Sequence, residues 1–221
     1  MIKVTFEEID KVMHLLSEEY PKFKKPIVTE YSELRHDPFE VLISTILSLR
    51  TKDQTTAKAS EKLFALADNP ADMIKLTVQE VEKAIYPVGF YKTKANTVLD
   101  TCKLLLKKYN GTVPDDLDEL LTIKGVGRKT ANLVMTLGYN KPGLCIDTHC
   151  HRFPNRLGWI KTKNAEETEF LLRKLLPQKY WKVFNDYIVA YGQNVCLPVS
   201  PRCSICRIKP YCKRIGVMNF R

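Results

Sequence analysis

The stretch Leu121-Thr-Ile-Lys-Gly-Val-Gly-Arg-Lys-Thr-Ala131 lies between two segments with helical patterning, and Gly125 and Gly127 flank a single apolar residue, Val126. Glycines two apart permit φ > 0 and let the backbone come close to a ligand. The helix that follows offers free N–H groups and the positive end of its dipole to that ligand. A DNA phosphate suits such a place and needs no side-chain charge. A bare Gly-x-Gly is more often an ordinary corner between helices. Here Arg128-Lys129-Thr130 follows at once, and from Thr122 to Asn164 there are eight Lys or Arg against one acid, Asp147.

Outward from this stretch, helix signals dominate. Thr5-x-x-Glu8 reads as a capping box opening an amphipathic segment that runs to about Tyr20, before Pro21. Asp37-Pro38 is an N-cap followed by a proline at the first helical position, and Asn69-Pro70 repeats the device. Thr77-x-x-Glu80 is a second capping box. Lys92 to Tyr109 predicts a helix closed by Asn110-Gly111. Asn164-x-x-Glu167 opens a helix that ends before Pro177, and Lys179 to Tyr191 predicts another. Few segments alternate with period two, so strands are not predicted. The expectation is an all-α fold in two helical domains, one over residues 31–141 and a discontinuous one over 1–30 plus 142–221. The break is at Asn140-Lys141-Pro142-Gly143, and Thr29 to Arg35 is polar and irregular.

With 44% apolar residues in 221, the chain can bury an ordinary core. Its apolar runs fall far short of the roughly 20 residues of a membrane helix. The N-terminus lacks the pattern of a signal peptide, and its early acids argue against a transit peptide, so a cytoplasmic, nucleoid-associated protein without a membrane partner is expected. The net charge of +10 points to a polyanionic partner. Seven cysteines are unlike a disulfide framework. Cys102, Cys145 and Cys150 read as small buried hydrophobes. The other four, Cys196, Cys203, Cys206 and Cys212, follow C-x6-C-x2-C-x5-C, the density of thiols that a soft metal centre needs. From Tyr191 to Arg221 they are accompanied by six Lys or Arg and no acid.

Lys129 would lie in the first turn of the helix after the hairpin, where the dipole disfavours a cation. Such a field lowers a lysine pKa and makes a nucleophilic amine more accessible. A solvated phosphate-binding lysine explains the same placement. Asp147 alters the balance. A helix over Gly127–Leu137 is ~16 Å long, and the nine residues after it can span up to ~30 Å, so Asp147 can return towards Lys129. It would also cap the helix beginning at Thr148-His149, and one carboxylate can do both.

LTIKGVGRKTANLV, CIDTHCHRFPNRLGW and the cysteine ending, with DPFEVLISTILSLRTKDQTT and VGFYKTKANTV upstream, together resemble the endonuclease III family of helix-hairpin-helix DNA glycosylases. The likeness extends over nearly the whole chain. It implies two all-α domains with duplex DNA, carrying damaged bases or abasic sites, bound in the groove between them by a monomer. It implies that Lys129 is the nucleophile, Asp147 the catalytic aspartate, and Cys196, Cys203, Cys206 and Cys212 the ligands of a [4Fe–4S] cluster. Gly125, Val126 and Gly127 fall on the phosphate-binding hairpin. Arg128, Thr130, His149, Arg152 and Arg202 are expected to contact DNA, with Arg207 and Lys209 beside the cluster loop. The activity implied is removal of oxidised pyrimidines through a lysine Schiff base, followed by β-elimination at the abasic site.

The chain departs from the family at several positions. Arg50 stands where many members carry a glutamine that fills the gap left by the flipped base. Phe90 stands where an apolar wedge such as leucine is frequent; a phenylalanine can unstack a base step, or be a core aromatic. Lys124 replaces a frequent proline, and Pro154 falls inside the helix after Asp147, where it can kink it. Other readings remain at this stage. Four cysteines can hold zinc in a tetrahedral site. Monofunctional mismatch glycosylases share the scaffold but lack the lysine; the adenine-specific ones carry a glutamate where this chain has Thr45, and a further C-terminal domain not expected here. A non-catalytic DNA-binding module would not need both Lys129 and Asp147.

Overall fold

The computed structural model describes residues 4–23 and 37–221. It divides into two compact units, one made of Ile27–Lys141 and the other of Met1–Pro26 with Pro142–Arg221. Thr29 to Arg35, His36 and the expected seam near residue 30 lie outside the described residues. Every regular element among the described residues is a helix, and none is a strand. None of their helices is long and apolar enough to cross a membrane.

The unit 27–141 is built around α2 (Pro38–Ser48), in which every residue from Phe39 to Leu47 is buried. Asp37 starts it by accepting the N–H groups of Phe39 and Glu40, with Pro38 at the first position. A helix apolar on all sides is stable only as a core helix. Around it lie α3 (Asp53–Phe64), α4 (Pro70–Met73), α5 (Val78–Ile85), α6 (Tyr91–Tyr109), α7 (Leu117–Leu121) and α8 (Arg128–Leu133). Asn69 caps α4, and the Thr77–Glu80 capping box is complete in both directions. α6 ends at Asn110 in the left-handed region, φ 51°, with Gly111 at φ 81° after it. α8 continues into a π-turn over Val134–Gly138.

The other unit joins the two ends of the chain. Ile9, Val12, Met13 and Leu16 of α1 (Phe6–Glu19) belong to one apolar cluster with Phe153 and Leu157 of α9 (Thr148–Leu157) and with Phe184, Ile188 and Tyr191 of α11 (Trp181–Asn194). Thr5 caps α1 through the Glu8 N–H. Asn164 caps α10 (Ala165–Leu175). Pro154 sits inside α9 without ending it. Cys102, Cys145 and Cys150 are buried and free, and burial pushes the Cys102 thiol up to about 12.

Candidate functional site

The hairpin closes with the Val126 N–H donating to the Ile123 carbonyl at 3.0 Å. Gly125 takes φ +87°, a conformation that side chains resist, and a Cβ there would approach Thr97 Cγ2 to 3.0 Å. Gly127 differs from the expectation. Its φ of −94° is ordinary extended backbone, and a Cβ would meet nothing within 4 Å. What glycine leaves there is open space in front of the helix rather than a required turn. Val126 is 6% exposed and anchors the hairpin in the core of its unit. Thr130 is buried too, at 2%, so its side chain faces inward where a DNA contact was expected. Lys129, second residue of α8, is half-buried.

Asp147, in the other unit, is the N-cap of α9: its Oδ1 accepts the Cys150 N–H at 2.8 Å. Burial holds the Cys150 thiol well above its ordinary value, and its side chain also interacts with the Asp147 carboxylate, which raises it further. His149 lies against Gly192, where a Cβ would come within 2.4 Å of its Nδ1. Arg152 is partly buried and turned inward. One terminal nitrogen lies 2.9 Å from His149 Nδ1 and donates to the carbonyls of Cys196 at 2.8 Å and Gly192 at 3.3 Å.

All four cysteines of the C-terminal motif line one cavity, together with Arg156, Tyr191, Arg202 and Arg214. Donors point at the sulfurs. The Tyr191 hydroxyl lies 3.2 Å from Cys206 Sγ, the Arg156 guanidinium 3.4 Å from Cys196 Sγ, and the Arg214 N–H 3.4 Å from Cys212 Sγ. Such donors stabilise thiolates bound to metal. Among the described residues no group of three or more His, Cys, Asp or Glu converges on a point that one ion could occupy. Four thiols around one cavity are a donor set that an iron–sulfur group can use. Burial pushes the Cys212 thiol up to about 11 and Cys203 upwards, so loading metal must release protons. Arg202 is exposed next to this cavity. Arg207, expected against phosphates, is instead paired with Glu18 at 2.8 Å and Glu19 at 3.2 Å at the end of α1.

Arg50 and Phe90 are both exposed, Phe90 by 64%, which rules out a core aromatic. Both are non-glycine residues in the left-handed region, φ 54° and 59°, and the Arg50 guanidinium lies 5.8 Å from the centre of the Phe90 ring. Sequence reasoning missed two residues beneath them. Lys94 is 7% exposed and hydrogen-bonded to the loop that bears Arg50, and Thr51 receives one of its bonds. Lys94 falls on the same helical stripe as the buried Val98, Cys102 and Leu105, the one signal that could have found it.

An all-helical fold, a glycine hairpin feeding a short helix and a four-cysteine C-terminal loop together define a helix-hairpin-helix protein of DNA base-excision repair. Residues 43–178 match the HhH-GPD superfamily of base excision DNA repair proteins. Endonuclease III of Thermotoga maritima is 47% identical over 177 residues, covering 80% of this chain and 83% of that protein. Endonuclease III homolog 2, chloroplastic, of Arabidopsis thaliana is 40% identical over 183 residues, covering 79% of this chain and 47% of its own length. A solved non-covalent endonuclease III–DNA complex superposes with a TM-score of 0.85 at 31% identity, over 96% of this chain and 97% of that one. The chain belongs to the endonuclease III family, and is a DNA glycosylase with abasic-site lyase activity.

Proposed function

We propose that this protein binds duplex DNA as a monomer in the cytoplasm and excises oxidised pyrimidines through a Schiff base on Lys129. One observation carries the reading: a hairpin that turns through a left-handed Gly125 delivers Lys129 in the first turn of α8, beside the open backbone at Gly127, within the residues that match the repair family. A base cannot be reached inside the stack and must be flipped out, at a cost of a few kcal/mol that is lower for damaged bases. Phosphate contacts from the hairpin N–H groups, Arg128 and Arg202 hold the duplex. The Lys129 amine attacks C1′; the N–C1′ bond forms as the glycosidic bond breaks, and the base leaves with the bonding electrons. The bound amine loses one proton; the nitrogen lone pair then drives cleavage of the C1′–O4′ bond, O4′ takes a proton, and the opened sugar is held as the protonated iminium R–NH⁺=C1′. Asp147, with Oδ2 not used in capping, accepts a proton or stabilises the cationic sugar. The iminium acidifies the C2′ hydrogen, and its loss expels the 3′ phosphate by β-elimination.

Cys196, Cys203, Cys206 and Cys212 would hold a [4Fe–4S] cluster, which when bound supplies a rigid staple and an iron–sulfur redox centre. The residues around it orient Arg202 towards a phosphate. A zinc protein would be colourless, whereas iron–sulfur loading gives a yellow-brown protein with about four irons per chain. The reaction is tested by borohydride trapping on a duplex with one thymine glycol. Wild type should give a covalent adduct and Lys129→Ala none. A wild type that binds abasic DNA yet is never trapped would make Lys129 a phosphate ligand and the protein a monofunctional glycosylase or a binding module.

A further inference from the structure

One buried cation ties together the loop that follows α2 and the turn that precedes α6. Lys94 Nζ donates to the Leu47 carbonyl at 2.8 Å, the Leu49 carbonyl at 2.5 Å and Thr51 Oγ1 at 3.1 Å. Leu47 and Leu49 carry carbonyls at the end of α2 that the helix itself leaves without donors, at the negative end of its dipole. A lysine fits both needs, with three donors and a positive charge. Thr51 Oγ1 also accepts the Gly89 N–H at 3.2 Å, so the bond network passes from α6 through the first loop into the second. The two loops touch so closely that a Cβ on Gly89 would lie 2.8 Å from the Arg50 carbonyl oxygen.

Each loop presents one exposed side chain from a left-handed backbone, Arg50 and Phe90, and the two side chains face each other. Non-glycine residues in that region cost energy and persist where the surroundings over-determine them. The Lys94–Thr51–Gly89 network is such a surrounding. We propose that Lys94, acting through Thr51, is the positioning residue that holds Arg50 and Phe90 as a preformed pair for opening duplex DNA. This rests on the reading of Arg50 and Phe90 as gap filler and wedge. Lys94 itself is buried and touches no substrate; it sets the geometry of two residues that do. A wedge ordered before binding spares the flipping step the cost of ordering it.

The test compares two substrates. A wedge matters only where a base must leave a duplex, so trapping on a single-stranded abasic oligonucleotide serves as the internal reference. Lys94→Met keeps the side chain unbranched and nearly as long and removes its donors; Thr51→Val keeps the shape and removes the bridge to Gly89. Using the metal-loaded full-length protein, each should lower single-turnover excision of thymine glycol from duplex by about 10- to 100-fold, the scale of a small misplacement of a catalytic element, with single-strand trapping within about 2-fold of wild type. The double variant should be little worse than either single one, because both cut the same network. Lys94→Arg should recover part of the duplex activity. Equal losses on both substrates would make Lys94 merely structural and overturn the proposal, as would an unchanged duplex rate in Thr51→Val. If Lys94→Met does not fold, Thr51→Val decides alone. Phe90→Ala separates the two levels: an unchanged duplex rate there would remove the wedge reading, while loss in Phe90→Ala with none in Thr51→Val would remove only the clamp.

Discussion

Asp147 serves two purposes that substitution can separate. Its Oδ1 accepts the N–H of Cys150, the buried third residue of α9, at 2.8 Å, and its negative charge is what the proposed reaction needs. Asp147→Ala removes both oxygens. The lost cap is worth about 1 kcal/mol, and the buried N–H left unsatisfied brings the total to about 1–2 kcal/mol. In a domain of this size that lowers the melting temperature by about 2–4 °C per kcal/mol. Asp147→Asn keeps an acceptor in the same place and ranks with aspartate as a cap, so its cost should stay below about 0.5 kcal/mol. For the reaction the two variants are alike, since neither has a carboxylate. Losing a group that takes a proton or faces a developing cation typically costs 10²–10⁴-fold. Thermal melts and single-turnover excision of thymine glycol, run on the same preparations, read the two effects separately. The expected pattern is similar loss of activity in both variants with loss of stability only in Asp147→Ala. Near-wild-type excision by Asp147→Asn would refute the carboxylate role, and equal destabilisation of both would refute the capping account.

Lys94 gives a pH signature. Burial lowers its pKa from the usual 10.5 to about 8. The folded state therefore holds this proton less tightly than the unfolded chain, which binds more protons between those values, so the contribution of Lys94 to stability rises as pH increases from about 8 to 10.5. Unfolding free energies of wild type and Lys94→Met in urea should diverge in favour of wild type by about 2 kcal/mol between pH 7 and pH 10; a flat difference would mean that the amine is not desolvated. The hairpin glycines should behave differently. Gly125→Ala, forced to φ +87° against Thr97, should lose about 1–2 kcal/mol. Gly127→Ala should fold within about 0.5 kcal/mol of wild type yet bind duplex DNA more weakly, because its Cβ enters the open space in front of α8; unaltered affinity would place the phosphate elsewhere. Cys206→Ser should abolish the brown colour and lower the protein's melting temperature, and acidification should release iron as the thiols regain protons; a variant that keeps its full iron content would exclude Cys206 as a ligand.

Local chemistry was legible wherever a short-range rule settles it. The caps at Thr5, Asp37, Asn69, Thr77 and Asn164 form where three or four residues suffice to write the signal. α3 went unpredicted because Lys52 makes no side-chain cap, which leaves Asp53 in the first turn as a weak start signal. α7 was read only as a helical stretch before the hairpin, without a start, although Asp116 accepts the N–H groups of Asp118 and Glu119, a pattern the sequence does contain. Arg207 looked like a phosphate ligand from its basic neighbours, since nothing near it in sequence reveals Glu18 and Glu19 at the far end of the chain. Thr130 looked like a contact from its place beside Lys129, but the helical period turns it into the core.

The sequence by itself determined the helical class, the family, the candidate nucleophile and aspartate, and the four cysteines, because each depends on residue identity and on spacing along the chain. Only the tertiary structure decided which side chains remain available. It committed Arg207 to α1 and Arg152 to the cysteine loop, buried Thr130, and left Phe90 exposed beside Arg50. It also put a lysine of α6 under the loop after α2, 47 residues away from its partner Leu47. A buried charge takes whichever carbonyls the packed helices bring to it, and the packing of distant segments depends on how their apolar faces fill one core, which no local pattern encodes.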